Sequence, residues 1–146
     1  RFDVAYALAE LGDAGGRDTL SAALVDADRA WDAVGAFGEL ADRGELAKAV
    51  ASKQTPMEAR VVAAGKLLGL GEWPRTPTPE DDAARALLLD ALTARKVHIR
   101  GLAIEQLAEV GGAWAKQPLE RLARSSKGSE LLEAIAAALR AIEGRP

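Results

Sequence analysis

Apolar residues recur along the chain at spacings of three and four, which is the spacing of one face of an α-helix. In the first such segment Val4, Leu8 and Leu11 share a face, and the pattern predicts a helix over about residues 2–11. Glycines follow it, and glycine readily adopts the left-handed conformation in which many helices end. The chain is therefore predicted to be all-α.

The same spacing predicts a further series of helices. Two of them have a clear start, Thr55-Pro56-Met57-Glu58 and Thr78-Pro79-Glu80-Asp81. Each combines a capping threonine, a proline at the first helical position and an acid three residues past the cap. The other predicted helices begin near Asp18 or span about 29–41, 44–52, 97–110, 115–125 and 129–143.

One helix ending recurs down the chain. Glu10–Asp13, Glu39–Asp42, Gly69–Glu72 and Glu109–Gly112 are four versions of it, and Ala141–Gly144 is a degraded fifth. The hydrophobic position of each ending follows the previous one by 29, 30, 40 and 32 residues. A period of this length predicts stacked helix pairs. The whole chain, 1–146, is then one repeat domain with repeats over about 1–28, 29–54, 55–96 and 97–127 and a partial repeat over 128–146.

The long third spacing comes from an insertion at residues 72–78. Three prolines in the 74–79 stretch, Pro74, Pro77 and Pro79, predict that the chain is stiff and extended there. Insertions in repeat proteins form loops on one face, which is often the binding face.

Two of the predicted helices carry a family resemblance. The segments 99–112 and 59–72 resemble the first helix of a HEAT-like repeat, more narrowly the short bacterial type described in phycobilisome lyases. Arg1 matches the first arginine of that pattern, so the chain is expected to begin inside a repeat. Repeat two departs from the pattern, with Ala30 at the arginine position.

The resemblance implies a right-handed α-solenoid of about four and a half helix pairs, in which the second helices line the concave side. Members of the family mostly bind other proteins. Some take part in attaching pigments to proteins, and related helical-repeat proteins handle damaged DNA. The resemblance is specific for the fold and says little about function.

Composition narrows the class of protein. Apolar residues make up 49% of the chain, but aromatic ones only 4%, and alanine and leucine dominate. A β-rich core would need more β-branched and aromatic residues. Cysteine is absent, which fits a reducing compartment, and we expect a cytoplasmic protein without a membrane span.

Charge is distributed unevenly along the chain. Residues 1–45 carry ten acidic and four basic residues, whereas residues 94–127 carry three acidic and seven basic ones. Such asymmetry can orient a partner or favour head-to-tail self-association. The basic section leaves nucleic-acid binding as an alternative, although the net charge of −3 argues against it.

The candidate catalytic and metal-binding residues are few. His98, the single histidine, is interpreted as a surface residue at a helix start rather than a general base. Glu80, Asp81 and Asp82 are interpreted as carboxylates that favour a helix N-terminus rather than as a cation site. We therefore expect no catalytic set, no metal site and no cofactor.

The candidate binding residues form two groups. Trp73 and Trp114 both follow a first helix and are expected on one edge of the stack, with the 72–78 insertion, while Trp31 is expected to be partly buried. Aromatic residues are enriched at binding hot spots. The second helices carry basic residues that suit an acidic peptide or a phosphate-bearing ligand, namely Lys48, Arg85, Arg121 and Arg124.

These features predict a non-catalytic module that binds another protein along its second helices or on the Trp73/Trp114 edge. Nucleic-acid binding and an accessory role in a lyase-like enzyme stay open as alternatives. Both ends resemble broken repeats with uncapped apolar faces, so a homodimer through those ends is a further possibility.

Overall fold

The computed structural model describes residues 1–146, and it is built from nine α-helices and one short 3₁₀ turn, without β-strands. The prediction of an all-α chain is confirmed. The 3₁₀ turn spans Ala14–Gly16. The helices are α1 Phe2–Glu10, α2 Arg17–Ala23, α3 Ala30–Glu39, α4 Arg43–Ala51, α5 Met57–Leu68, α6 Pro79–Ala91, α7 Val97–Val110, α8 Ala113–Ser125 and α9 Ser129–Ile142.

Of the two predicted helix starts, one is confirmed and the other is wrong. At α6 the Thr78 hydroxyl accepts the backbone N–H of Asp81, and the Asp81 carboxylate accepts the backbone N–H of Thr78. At α5 Pro56 remains extended, with ψ 143°, so the helix begins one residue later, at Met57. Thr55 is then too far away to cap the helix, and its buried hydroxyl has no hydrogen-bond partner.

The recurring helix endings are similar but not identical. Gly12 and Gly71 adopt positive φ angles of 79° and 78°, as expected for a glycine that ends a helix. Ala41 takes the same conformation in the second repeat, with φ 50°. The fourth ending differs, because Gly111 is extended, with φ −72° and ψ 164°, and leads directly into α8 through Gly112.

The core forms where the odd-numbered helices pack. Helices α1, α3, α5, α7 and α9 contact one another in that order, α2, α4 and α6 each contact the helices before and after them, and α8 contacts α9. The register position predicted to be core is fully buried in the three middle helices, at Phe37, Leu67 and Leu107. Leu8 and Leu139 are only half-buried, since α1 and α9 each have one odd-numbered neighbour.

The apolar face predicted for α1 is not the face that packs. Val4 and Leu11 are 63% and 83% exposed, while α1 buries Ala5 and Ala9 against its neighbours. The side chain at Ala5 is small because α1 lies close to the 3₁₀ turn that follows it. A Cβ added at Gly16 would lie 2.4 Å from the Ala5 Cβ and 2.5 Å from the Ala5 Cα.

This close approach gives a prediction for two glycines. We expect Gly16→Ala to lower the free energy of unfolding by about 1–3 kcal/mol, because the backbone of α1 must move. We expect Gly35→Ala to raise it by about 0.5–1 kcal/mol, since Gly35 lies inside α3 with no atom within 4 Å of an added Cβ. Urea denaturation of both variants tests this; shifts of the same sign would contradict the packing described.

None of the nine helices combines the length and the apolar content that a bilayer crossing requires.

Candidate functional site

A cleft of about 570 Å³ lies between the 72–78 insertion, helix α6 and the turn that joins α7 to α8. We call it the Trp cleft, because it is lined by Trp73 of the insertion and Trp114 of α8. The remaining lining residues include few side chains that could act as a general acid or base. It consists of Leu68, Gly69, Pro74, Arg75, Pro77, Arg85, Glu109, Val110, Gly111, Gly112, Arg145 and Pro146.

The insertion is fixed to the helices at two points. The indole Nε1–H of Trp73 donates to the backbone carbonyl of Leu68, at 2.8 Å, so the ring is held over the end of α5. Arg75 donates through both terminal nitrogens to Asp81 in the first turn of α6. Together these contacts hold the irregular segment in one place.

Asp81 is the anchor of this arrangement. Its side chain is fully buried and accepts hydrogen bonds from Arg75, from Arg43 of α4 at 3.3 Å, and from the backbone N–H and hydroxyl of Thr78. Burial alone would raise the pKa of Asp81, but the hydrogen bonds from Arg75, Thr78 and Arg43 outweigh it and hold the pKa far below its usual value. Asp81 is therefore a carboxylate that joins α4, α6 and the insertion.

Guanidinium groups and indole rings alternate along the cleft. The Arg75 guanidinium carbon lies 4.0 Å from the centre of the Trp73 ring. The Arg85 guanidinium carbon lies 5.2 Å from the centre of the Trp73 ring and 5.0 Å from that of Trp114. These distances suit cation–π attraction, so Arg85 connects the insertion to α8.

Arg85 differs from the other cations of the Trp cleft in having no acceptor. Its side chain makes no hydrogen bond or ion pair in the chain, and its Nε is buried without a partner. Arg75 is neutralised by Asp81. Arg145 donates to the backbone carbonyls of Ala108, Glu109 and Gly111, at 3.0–3.3 Å.

The turn between α7 and α8 is narrow because it contains two glycines. A Cβ at Gly111 would lie 2.4 Å from the Leu107 carbonyl oxygen, and one at Gly112 would lie 2.7 Å from the Pro146 carbonyl carbon. The backbone N–H of Ala113 donates to the carbonyls of Arg145 and Pro146, at 3.2 Å each. This packing places Trp114 at the edge of the cleft facing Arg85.

The structure brings together three of the six predicted binding residues, Trp73, Trp114 and Arg85. The other three lie outside the Trp cleft. The Lys48 Nζ of α4 donates a hydrogen bond to the Ser21 hydroxyl, at 2.6 Å, and lies 3.7 Å from the carboxylate of Glu45. Arg121 and Arg124 are exposed on α8.

Sequence reasoning missed Arg75 and the role of Asp81. Arg75 lies inside the insertion that was singled out, but nothing in the pattern shows which acid it meets. The sequence predicts Asp81 as the acid at the start of α6, but its contact with Arg43, 38 residues away, depends on how α4 packs.

The remaining titratable candidates lie elsewhere. His98 is exposed at the start of α7, with its Nε2 2.9 Å from Glu58 Oε1, and the hydrogen bond from His98 lowers the pKa of Glu58. No group of three or more His, Asp or Glu side chains is placed to hold a metal ion. Neither feature contributes to the Trp cleft.

In comparison with known proteins, no family model matches the chain, no curated protein matches it and no solved structure matches it. The function of the Trp cleft therefore has to be inferred from its geometry.

Proposed function

We propose that this chain is a non-catalytic interaction module that binds another protein in the Trp cleft. The observation that carries the proposal is the convergence of Trp73 and Trp114 on the guanidinium of Arg85, which has no hydrogen-bond acceptor in the chain. Tryptophan and arginine are the residues most enriched at binding hot spots, since they provide large contact areas with a polar handle.

The lining of the Trp cleft suits binding better than chemistry. Glu109 is its one acidic side chain, and no serine, lysine or histidine lines it. A general acid–base pair or a nucleophile with its base needs two such groups within hydrogen-bond reach. The tryptophan, proline and glycine surfaces instead offer flat apolar area with a few polar atoms.

We propose further that the helices form a short HEAT-like α-solenoid. Two observations support this: the repeat period in the sequence and the packing of α1, α3, α5, α7 and α9 on one another in chain order. In such an array each pair of helices is stabilised by its neighbours. The second helices, with Lys48, Arg121 and Arg124, are then an alternative surface for the partner.

Affinity measurements on tryptophan variants test the proposed function. Tagged protein is used to capture partners from a lysate of the source organism, and the captured protein is purified and titrated by calorimetry. We expect the double variant Trp73→Ala/Trp114→Ala to bind at least about tenfold more weakly than wild type, because hot-spot truncation costs about 2 kcal/mol or more.

Trp31→Ala is the matched control, because Trp31 is half exposed on α3 and lies outside the Trp cleft. It should bind like wild type. Circular dichroism and thermal unfolding check that the double variant is folded, and Trp114→Ala alone avoids removing the Trp73 hydrogen bond to Leu68. Equal affinity of wild type, the double variant and Trp114→Ala would refute the proposed site.

A further inference from the structure

We infer that Arg85 binds a side-chain carboxylate of the partner, so that the segment recognised by the Trp cleft is acidic. The inference rests on the proposed function, because it specifies the chemistry of the segment that occupies the cleft. It is supported by two observations. Only one of the three arginines that line the cleft lacks a hydrogen-bond acceptor, and the two indole rings lie beside that arginine.

The two rings leave the edge of the Arg85 guanidinium available. A guanidinium group has five N–H donors in its plane, and cation–π contacts use its faces rather than its edge. The rings of Trp73 and Trp114 lie beside it, and neither ring supplies a hydrogen-bond acceptor. Nε is the one Arg85 nitrogen that is buried without a partner, and the residue as a whole is partly exposed. The terminal N–H groups are therefore the donors that an acceptor on a bound ligand can reach.

The other two arginines are already engaged. Arg75 forms a two-point ion pair with the buried carboxylate of Asp81. Arg145 uses one terminal nitrogen on three backbone carbonyls at the end of α7. Arg85 is the one arginine of the lining whose N–H groups have no acceptor in the chain. An anion therefore forms its most favourable hydrogen bonds at Arg85.

The charge of the Trp cleft favours a carboxylate over a phosphate group. One free guanidinium matches the single negative charge of a carboxylate, and its planar fork fits the two carboxylate oxygens. A phosphate monoester carries nearly two charges. It would find free donors on only one arginine of the lining, and it would also lie near the carboxylate of Glu109, which forms no ion pair in the chain and lines the same cleft.

NMR titration with short peptides tests the inference. The probe is a five-residue peptide with one glutamate between alanines, acetylated and amidated so that its only carboxylate is the side chain. Matched peptides carry glutamine or phosphoserine at that position. The indole N–H signals of the three tryptophans and the arginine Nε–H signals report where each peptide binds.

We expect the glutamate peptide to move the Trp73, Trp114 and Arg85 signals saturably at millimolar concentration, and the Trp31 signal not to move. The glutamine and phosphoserine peptides should each bind at least about threefold more weakly, since a charged hydrogen-bonded pair is lost or mismatched. Arg85→Gln should abolish the response and Arg85→Lys should weaken it, because lysine keeps the charge without the fork. Arg121→Gln, outside the Trp cleft, should have no effect.

Equal binding of the glutamate and glutamine peptides, tighter binding of the phosphoserine peptide, no response in wild type, or an unchanged response in Arg85→Gln would each overturn the inference. An unaltered Trp31 signal and thermal midpoint show that Arg85→Gln is folded. If it unfolds, Arg85→Lys decides, since an unweakened response there also overturns the inference.

The purified partner separates this inference from the proposed function. A partner that loses affinity for the double tryptophan variant but not for Arg85→Gln overturns the carboxylate contact and leaves the Trp cleft as the binding site. A partner that loses affinity for neither variant overturns both.

Discussion

Replacing Leu67 by alanine is expected to lower the free energy of unfolding by roughly 2–5 kcal/mol. Leu67 is fully buried on α5, and α5 contacts α3, α4, α6 and α7, so few neighbouring atoms are free to fill the space. The cost combines lost apolar burial with the cavity left behind. A domain of this size is stable by only about 5–15 kcal/mol, so the loss should be evident in urea denaturation.

Leu11→Ala is the matched control, because it makes the same chemical change on a side chain that is 83% exposed. Its effect should lie within about 0.5 kcal/mol of zero. Because the chemical change is the same in both variants, the difference between them reports mainly the burial of the side chain. A loss of similar size in both variants would contradict the arrangement of the core.

Replacing Asp81 by asparagine is expected to lower the free energy of unfolding by about 3 kcal/mol, the low end of what breaking a buried ion pair costs. The low end applies because the arginine partners keep contact with solvent, with side chains 24% and 37% exposed at Arg75 and Arg43. The substitution also weakens the capping box with Thr78. Asp82→Asn, one residue along and exposed, should change stability by less than about 0.5 kcal/mol.

The Asp81 contribution should depend on pH in a defined direction. Because the folded pKa is depressed, the contribution is complete above the ordinary pKa of 3.8 and is lost progressively as the pH falls below that value. Denaturation of wild type and Asp81→Asn at a series of pH values measures it. The gap between them should stay constant near neutral pH and narrow below pH 3.8; a gap independent of pH would show that the carboxylate charge is not what stabilises the fold.

The helices could be predicted from sequence because their information is local. The Thr78-Pro79 start signal predicts the first residue of α6, and the observed helix begins at Pro79. The face that α1 buries could not be predicted in the same way. Val4 and Leu11 are the larger apolar residues, but Gly16 approaches α1 so closely at Ala5 that no larger side chain fits there. That approach depends on how the turn after α1 packs.

The candidate site was predictable in part. The position of Trp73 and Trp114 after first helices indicated a common edge, and both tryptophans line one cleft. Arg85 was grouped with Lys48, Arg121 and Arg124 on the second helices, and nothing in the sequence pointed to the tryptophans as its neighbours. Arg85 meets the Trp73 ring because Arg75 of the insertion binds Asp81 at the start of α6, and no sequence signature marks this pairing.

Asp81 also connects the stability of the fold to the shape of the candidate site. Arg75 lies over the Trp73 ring while it binds Asp81, so loss of this carboxylate should loosen the insertion as well as destabilise α6. Asp81→Asn is therefore expected to weaken partner binding indirectly. This effect would differ from that of Arg85→Gln, which removes a binding group without breaking an ion pair.

The three tryptophans allow the most direct measurement of where a partner binds, because each gives one indole N–H signal in the NMR spectrum. We predict that the purified partner shifts or broadens the Trp73 and Trp114 signals and leaves the Trp31 signal unchanged. Unchanged Trp73 and Trp114 signals in the presence of saturating partner would contradict binding in the Trp cleft.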